Sequence, residues 1–119
     1  MAESRPVLVL ISEDPRRSHR ANEALRIALG IVAGENAVTI VLTGPAVRLL
    51  DADTDDLVDG DDIAKYRASL KTLDIPFYVE RSAIPPGDLE WNADGAVTVS
   101  VSTEEITDLF THCRRFIVF

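Results

Sequence analysis

The sequence predicts an α/β domain, a three-layer αβα sandwich around a parallel five-stranded sheet. Five runs of strand length carry the prediction: Val7 to Ser12, Ala37 to Thr43, Ile75 to Glu80, Ala96 to Val101 and Phe116 to Phe119. The first two are almost wholly apolar instead of alternating, which suits strands buried on both faces of a parallel sheet. Helical patterns lie between most of the runs, and strands separated by helices imply crossover connections.

The first run ends in Ser12-Glu13-Asp14-Pro15. Asp before Pro is a good helix start, because the carboxylate can cap free N–H groups and proline's φ is already helical. A helix is expected from there to about Ala33, with Ala21, Leu25, Ala28, Leu29 and Val32 inward and Gly34 in a left-handed terminal position. The second run is rich in β-branched residues and breaks at Gly44-Pro45, before a short helical turn through Ala46, Val47, Leu49 and Leu50. After an acidic stretch, Ile63, Tyr66, Leu70 and Leu73 repeat on one helix face, with Lys65, Arg67 and Lys71 on others and a cap at Asp61 or Asp62. Pro76 is tolerable only at the first positions or on an edge of the third strand. Pro85-Pro86-Gly87 and Asn92-Ala93-Asp94-Gly95 punctuate a loop. Ser102 and Glu105 form a Ser-x-x-Glu capping box, opening a helix with Ile106, Leu109, Phe110 and Cys113 inward before the closing strand.

At 119 residues, 46% of them hydrophobic and 27% charged, the chain fits one globular domain, residues 1–119, and not a disordered polymer. No apolar run approaches the roughly 20 residues that span a bilayer, and Met1 to Arg5 lacks a signal peptide's apolar segment. The expectation is a cytoplasmic protein without membrane association. A single cysteine, Cys113, excludes an intrachain disulfide and fits a reducing compartment. The net charge of −8 repels phosphate backbones on average and argues against nucleic acid as a partner. The basic residues Arg16, Arg17, His19 and Arg20 are interleaved with Glu13, Asp14 and Glu23, as on a solvated helix face.

Parallel sheets of this kind bind ligands beyond the carboxyl ends of their strands, which selects the loops Ser12 to Arg20, Thr43 to Ala46, Glu80 to Pro86 and Val101 to Glu104. The ligand-binding candidates there are Ser12, Glu13, His19, Arg20, Thr43, Gly44, Glu80, Arg81, Ser82 and Ser102. The alternative is that these residues only cap helices and solvate loops. The first strand leads into Glu13 and Asp14 with no glycine, which counts against a classical phosphate loop, although Thr43-Gly44 or the start of the last helix can hold a smaller anion. No cofactor is implied.

Asp51, Asp53, Asp55, Asp59 and Asp62 fall at the ligand positions of a calcium loop, with Val58 at the apolar one. Asp56 stands where that loop needs glycine, and Asp62 where it usually has glutamate. A self-repelling surface loop is the simpler expectation. Two histidines and one cysteine cannot supply a zinc site by themselves, and His19 lacks a nucleophile-elbow context. No metal site and no catalytic residue is assigned.

Several strings resemble the DsrE/DsrF-like (TusBCD-like) family of small sulfur-relay proteins. They are Val7-Leu8-Val9-Leu10-Ile11, Glu23-Ala24-Leu25-Arg26-Ile27-Ala28, Val41-Leu42-Thr43-Gly44-Pro45-Ala46-Val47, Leu73-Asp74-Ile75-Pro76-Phe77-Tyr78-Val79, and Cys113-Arg114-Arg115-Phe116-Ile117-Val118-Phe119. The resemblance covers nearly the whole chain and implies the DsrEFH-like fold. In sulfur-carrying members a cysteine just after the third strand holds a persulfide; the matching positions here are Val79, Glu80, Arg81 and Ser82. The resemblance therefore implies a non-catalytic member, working in a homo-oligomer or beside a related, cysteine-bearing subunit. Cys113, on the core face of the last helix and at its end, is expected at the opposite rim from the strand-end loops.

Overall fold

The computed structural model describes residues 5–51, 54–86, 91–92 and 95–119. Met1 to Ser4, and Ala52, Asp53, Gly87, Ala93 and Asp94 of the loop strings, lie outside the described residues.

The predicted strands form one sheet: β1 (Val7–Ile11), β2 (Val38–Leu42), β3 (Phe77–Glu80), β4 (Thr98–Val101) and β5 (Arg115–Val118). Their order is β4-β3-β2-β1-β5, and every neighbouring pair is parallel. The two most apolar strands, β1 and β2, lie inside the sheet, with Val9 and Ile40 buried on one face and Leu8 and Val41 on the other. The edge strands are poorer in burial; β5 is exposed at all four positions.

The two faces are covered unequally. On one lie α1 (Arg20–Ala33), a 3-10 turn (Gly44–Leu50) and α2 (Gly60–Thr72), whose Ala24, Leu25, Leu49, Ile63 and Leu70 build the main core against Val9, Ile11, Leu42 and Phe77. On the other lies α3 alone (Thr103–Thr111), packing Ile106 on Leu8, Val41 and Val101. This nine-residue helix leaves β4 at one edge of the sheet and delivers the chain to β5 at the other. It is about 13.5 Å long, shorter than the roughly 19 Å spanned by five strands, so part of that face stays bare.

Three local expectations are corrected. The first helix begins at Arg20, not at Pro15, because Asp14 is spent on a turn: its carboxylate accepts the Arg16 N–H (2.9 Å) and guanidinium (3.0 Å). Pro15 is buried, and its carbonyl accepts the Val58 N–H at 2.8 Å, which ties this turn to the loop before α2. Gly34 stays at φ −84°, and Glu35 takes the left-handed conformation instead. Leu73, expected on the apolar face of α2, caps its end and is 52% exposed, while Arg67, expected on another face, is only 7% exposed.

The acidic stretch is folded down where it is described. Leu57 is buried, and Gly60 begins α2. A side chain at Gly60 would collide with the Thr54 carbonyl, so this glycine permits a close backbone approach. Asp59 precedes the helix in the left-handed region with no side-chain cap bond, and Asp61 and Asp62, expected as caps, lie in the first helical turn. Among the described residues no cluster of acidic, histidine or cysteine side chains could hold a metal ion.

Candidate functional site at the carboxyl ends of the strands

The candidate residues divide into two groups and an outlier. The first group sits at the ends of β2, β3 and β4. A 3-10 turn, Arg81–Ala83, directly follows β3, so Glu80, Arg81 and Ser82 leave the sheet together and face the start of α3. With Val101, Ser102, Thr103 and Glu104 they line a cleft of about 350 Å³.

Glu80 and Arg81 turn to opposite sides. Glu80 Oε1 accepts the Gly44 N–H at 2.9 Å, which joins the end of β3 to the turn after β2. Gly44 has φ +53°, a conformation costly for other residues, and presents its N–H to that carboxylate. The Thr43 N–H and hydroxyl point back to the Ile11 carbonyl, at 3.0 and 3.5 Å. Arg81 reaches outward to β4, donating Nε to Ser100 Oγ (3.0 Å) and Nη2 to the Ser100 carbonyl (3.2 Å) and Glu105 Oε1 (3.4 Å).

The Ser102/Glu105 capping box forms as the sequence predicts. Ser102 Oγ accepts the Glu105 N–H at 3.1 Å, and Glu105 Oε1 accepts the Ser102 N–H at 2.9 Å. The bond from the Ser102 backbone, with Arg81 nearby, holds the Glu105 carboxyl below the usual carboxylate range. Glu105 is thus both cap and partner to Arg81. The pairing of Glu105 and Ser100 with Arg81 was not legible beforehand, because the strand pairing that brings β4 beside β3 is a tertiary fact.

The second group lies at the end of β1. Ser12 donates both its N–H (2.8 Å) and its hydroxyl (3.1 Å) to the Phe119 carbonyl, and the Arg20 guanidinium stacks 5.6 Å above the Phe119 ring. These contacts fasten the end of β5. Glu13 is exposed beside them. His19 is the outlier, exposed on the surface with Nε2 3.5 Å from Glu23 Oε1. The ten candidates do not converge on one pocket.

A second cavity, of about 320 Å³, was not foreseen. It lies between α2 and the segment of Asn92 and Ala96, lined also by Leu50, Ala64, Arg67, Ala68 and Lys71. Arg67 donates Nη1 to the Leu49 carbonyl (2.8 Å) and the Asp51 carbonyl (2.6 Å), satisfying the end of the 3-10 turn. The small residues Ala64 and Ala68 flanking Arg67 were the available signal.

Cys113 lies at the other rim of the sheet, where the next residue, Arg114, donates its N–H to Pro6 just ahead of β1. Burial pushes its thiol pKa up, opposed by a hydrogen bond with Thr39. No helix is long and apolar enough to cross a membrane among the described residues.

No protein-family model matches the chain, and no curated protein matches it in sequence. The YchN protein of Escherichia coli, known from a crystal structure, matches with a TM-score of 0.72 and 15% identity, over 97% of this chain and 99% of that one. YchN is a DsrE/DsrF-like protein. The fold is DsrE/DsrF-like. In this DsrE/DsrF-like frame, the cleft of Glu80, Arg81 and Ser82 occupies the loop after the third strand.

Proposed function

We propose that this protein is a non-catalytic DsrE/F-like subunit or scaffold, acting through assembly with copies of itself or with a related subunit, in a cytoplasmic sulfur-relay setting. The observation that carries this reading is the bare apolar surface left by α3, at Val99 on one edge and at β5 on the other. The β5 edge is the larger of the two patches, with Phe116, Ile117 and Val118 exposed side by side, and adjoining exposed apolar residues of this kind mark interaction sites. The strand-end loop supports the non-catalytic part. Neither the carboxylate of Glu80, the guanidinium of Arg81 nor the hydroxyl of Ser82 can hold transferable sulfur. Cys113, the one thiol in the sequence, sits at the far rim with its pKa raised.

Native mass spectrometry of the protein, purified gently from its own cells, tests this. A mixed complex with a thiol-bearing relative, or a homo-oligomer, is the expected result; a lone monomer at all accessible concentrations overturns it.

A second reading, binding of a small anionic molecule, is favoured by the 350 Å³ cleft itself, where Arg81, Ser82, Ser102 and Thr103 offer a cation and hydroxyls beside the carboxylates of Glu80 and Glu104. Thermal stabilisation by a member of an anion and nucleotide panel, lost in Arg81→Ala, supports that reading. A flat response sinks it.

A further inference from the structure

Both edges of the sheet present backbone groups to solvent, but they are treated differently. On β4, the Phe77 N–H goes to the Val97 carbonyl, so alternation along the strand turns Thr98 and Ser100 outward. The outward Ser100 carbonyl is occupied by Arg81 Nη2 and the Ser100 hydroxyl by Arg81 Nε, and the outward residues are polar. A charged side chain laid across an edge is a common guard against strand addition.

Among the described residues no such guard protects β5. Phe119 gives its N–H to Leu10 and its carbonyl to Ser12, so the backbone groups of Ile117 also face β1, while those of Phe116 and Val118 face open solvent. Phe116 is 61% exposed, Ile117 37% and Val118 50%. The strand carries no proline or lysine.

We infer that β5 pairs antiparallel with β5 of a second copy of this chain, about a two-fold axis at Ile117, joining the two sheets into one. The inference rests on the assembly reading above and assigns its interface. The occupant is argued from self-complementarity. In the register centred on Ile117, the outward groups of Phe116 meet those of Val118 from the other copy, giving hydrogen-bonded pairs on both sides of the axis. On the α3 face, aromatic Phe116 lies across from β-branched Val118, a favourable cross-strand pair, and on the opposite face Ile117 meets its own copy. Phe110, edge-on to Phe116 with ring centroids 5.0 Å apart, already fixes that ring on the α3 face. The like charges at Arg115 fall at opposite ends of the interface, roughly 14 Å apart at 3.4 Å per residue, so they do not oppose the pairing.

The test places single cysteines in a Cys113→Ala background. With Ile117→Cys, the two copies face each other across a non-hydrogen-bonded pair about 4.5 Å apart at Cα, within disulfide reach. With Arg115→Cys they do not. Mild oxidation is expected to yield a covalent dimer from Ile117→Cys and none from Arg115→Cys. Sedimentation of Val118→Lys, an edge position that is half-exposed already, is expected to show dimer association weakened about tenfold or more. If the wild-type chain assembles but the two cysteine variants cross-link equally or not at all, the β5 interface is overturned and the assembly reading stands. If the purified wild-type chain is a monomer throughout, the β5 self-pairing is overturned while assembly with a related subunit stands; a monomer that also carries no partner from its own cells overturns both.

Discussion

Glu80 at the end of β3 and Gly44 at the start of the turn after β2 are joined by one hydrogen bond, with Glu80 Oε1 accepting the Gly44 N–H at 2.9 Å. The bond links residues 36 apart and holds the turn whose Ala46, Val47, Leu49 and Leu50 enter the core. Glu80→Ala is expected to cost about 1–2 kcal/mol in urea unfolding, because the Gly44 N–H is then left without its acceptor. Glu80→Gln keeps an acceptor oxygen and is expected to recover most of the loss. Equal losses in the two variants would show that the bond itself contributes nothing.

Arg67 tests a different kind of link. Its Nη1 serves two carbonyls that would otherwise be buried at the end of the 3-10 turn. Arg67→Ala is expected to destabilise by about 2–4 kcal/mol, since both carbonyls lose a charged donor. Arg67→Lys is expected to restore less than half, because the lysine side chain ends one bond short of the Nη1 position from which both carbonyls are reached. Thermal unfolding of both variants checks this, and a Lys variant as stable as the wild type would contradict it.

These two residues also mark how far the sequence could be read. The strands came from their β-branched, apolar runs, and the α3 cap from four consecutive positions, because both signals are local. Arg67 was placed off the apolar face of its helix by helical spacing alone. The spacing held, but the 3-10 turn of Gly44–Leu50 covers that side of α2, and a non-local cover cannot be read from a helix's own period. Asp14 misled for the opposite reason. Asp-Pro suits a helix start, yet Arg16 two residues on competes for the same carboxylate and wins. The strand-end loops were located by fold class alone. Which residues converge there depended on strand order, which places Ser12 and Arg20 with Phe119 and Arg81 with Ser100.

The α3 capping box gives a pH-dependent prediction. The Glu105 carboxyl titrates below its ordinary range in the folded chain, chiefly through the Ser102 N–H. A depressed folded pKa means that the stabilisation is fully present above the unfolded value, about 4.3, and is lost as pH falls below it toward the folded pKa. Glu105→Gln is expected to flatten the stability profile below about pH 4.3 relative to the wild type. Ser102→Ala is expected to cost about 1 kcal/mol at neutral pH, and Ser102→Asp to preserve the cap. An unaltered acid profile in Glu105→Gln would remove the carboxylate from the account.

Cys113 offers the sharpest check on the non-catalytic reading, because a sulfur carrier needs an accessible thiolate. Its thiol is half-buried, and desolvation raises its pKa, with the hydrogen bond to Thr39 and the charge of Arg5 only partly opposing this. The thiolate is therefore a small minority at pH 7, and the native protein is expected to react with iodoacetamide several-fold more slowly than the same chain unfolded in guanidinium. Raising the pH should accelerate the native reaction until it passes the elevated pKa, so the midpoint of the rate profile should lie above that of the unfolded thiol. Rates followed by intact mass answer both points. A native thiol that reacts faster than the unfolded one, or that takes up persulfide sulfur lost in Cys113→Ser, would return the chain to sulfur transfer and overturn the scaffold reading.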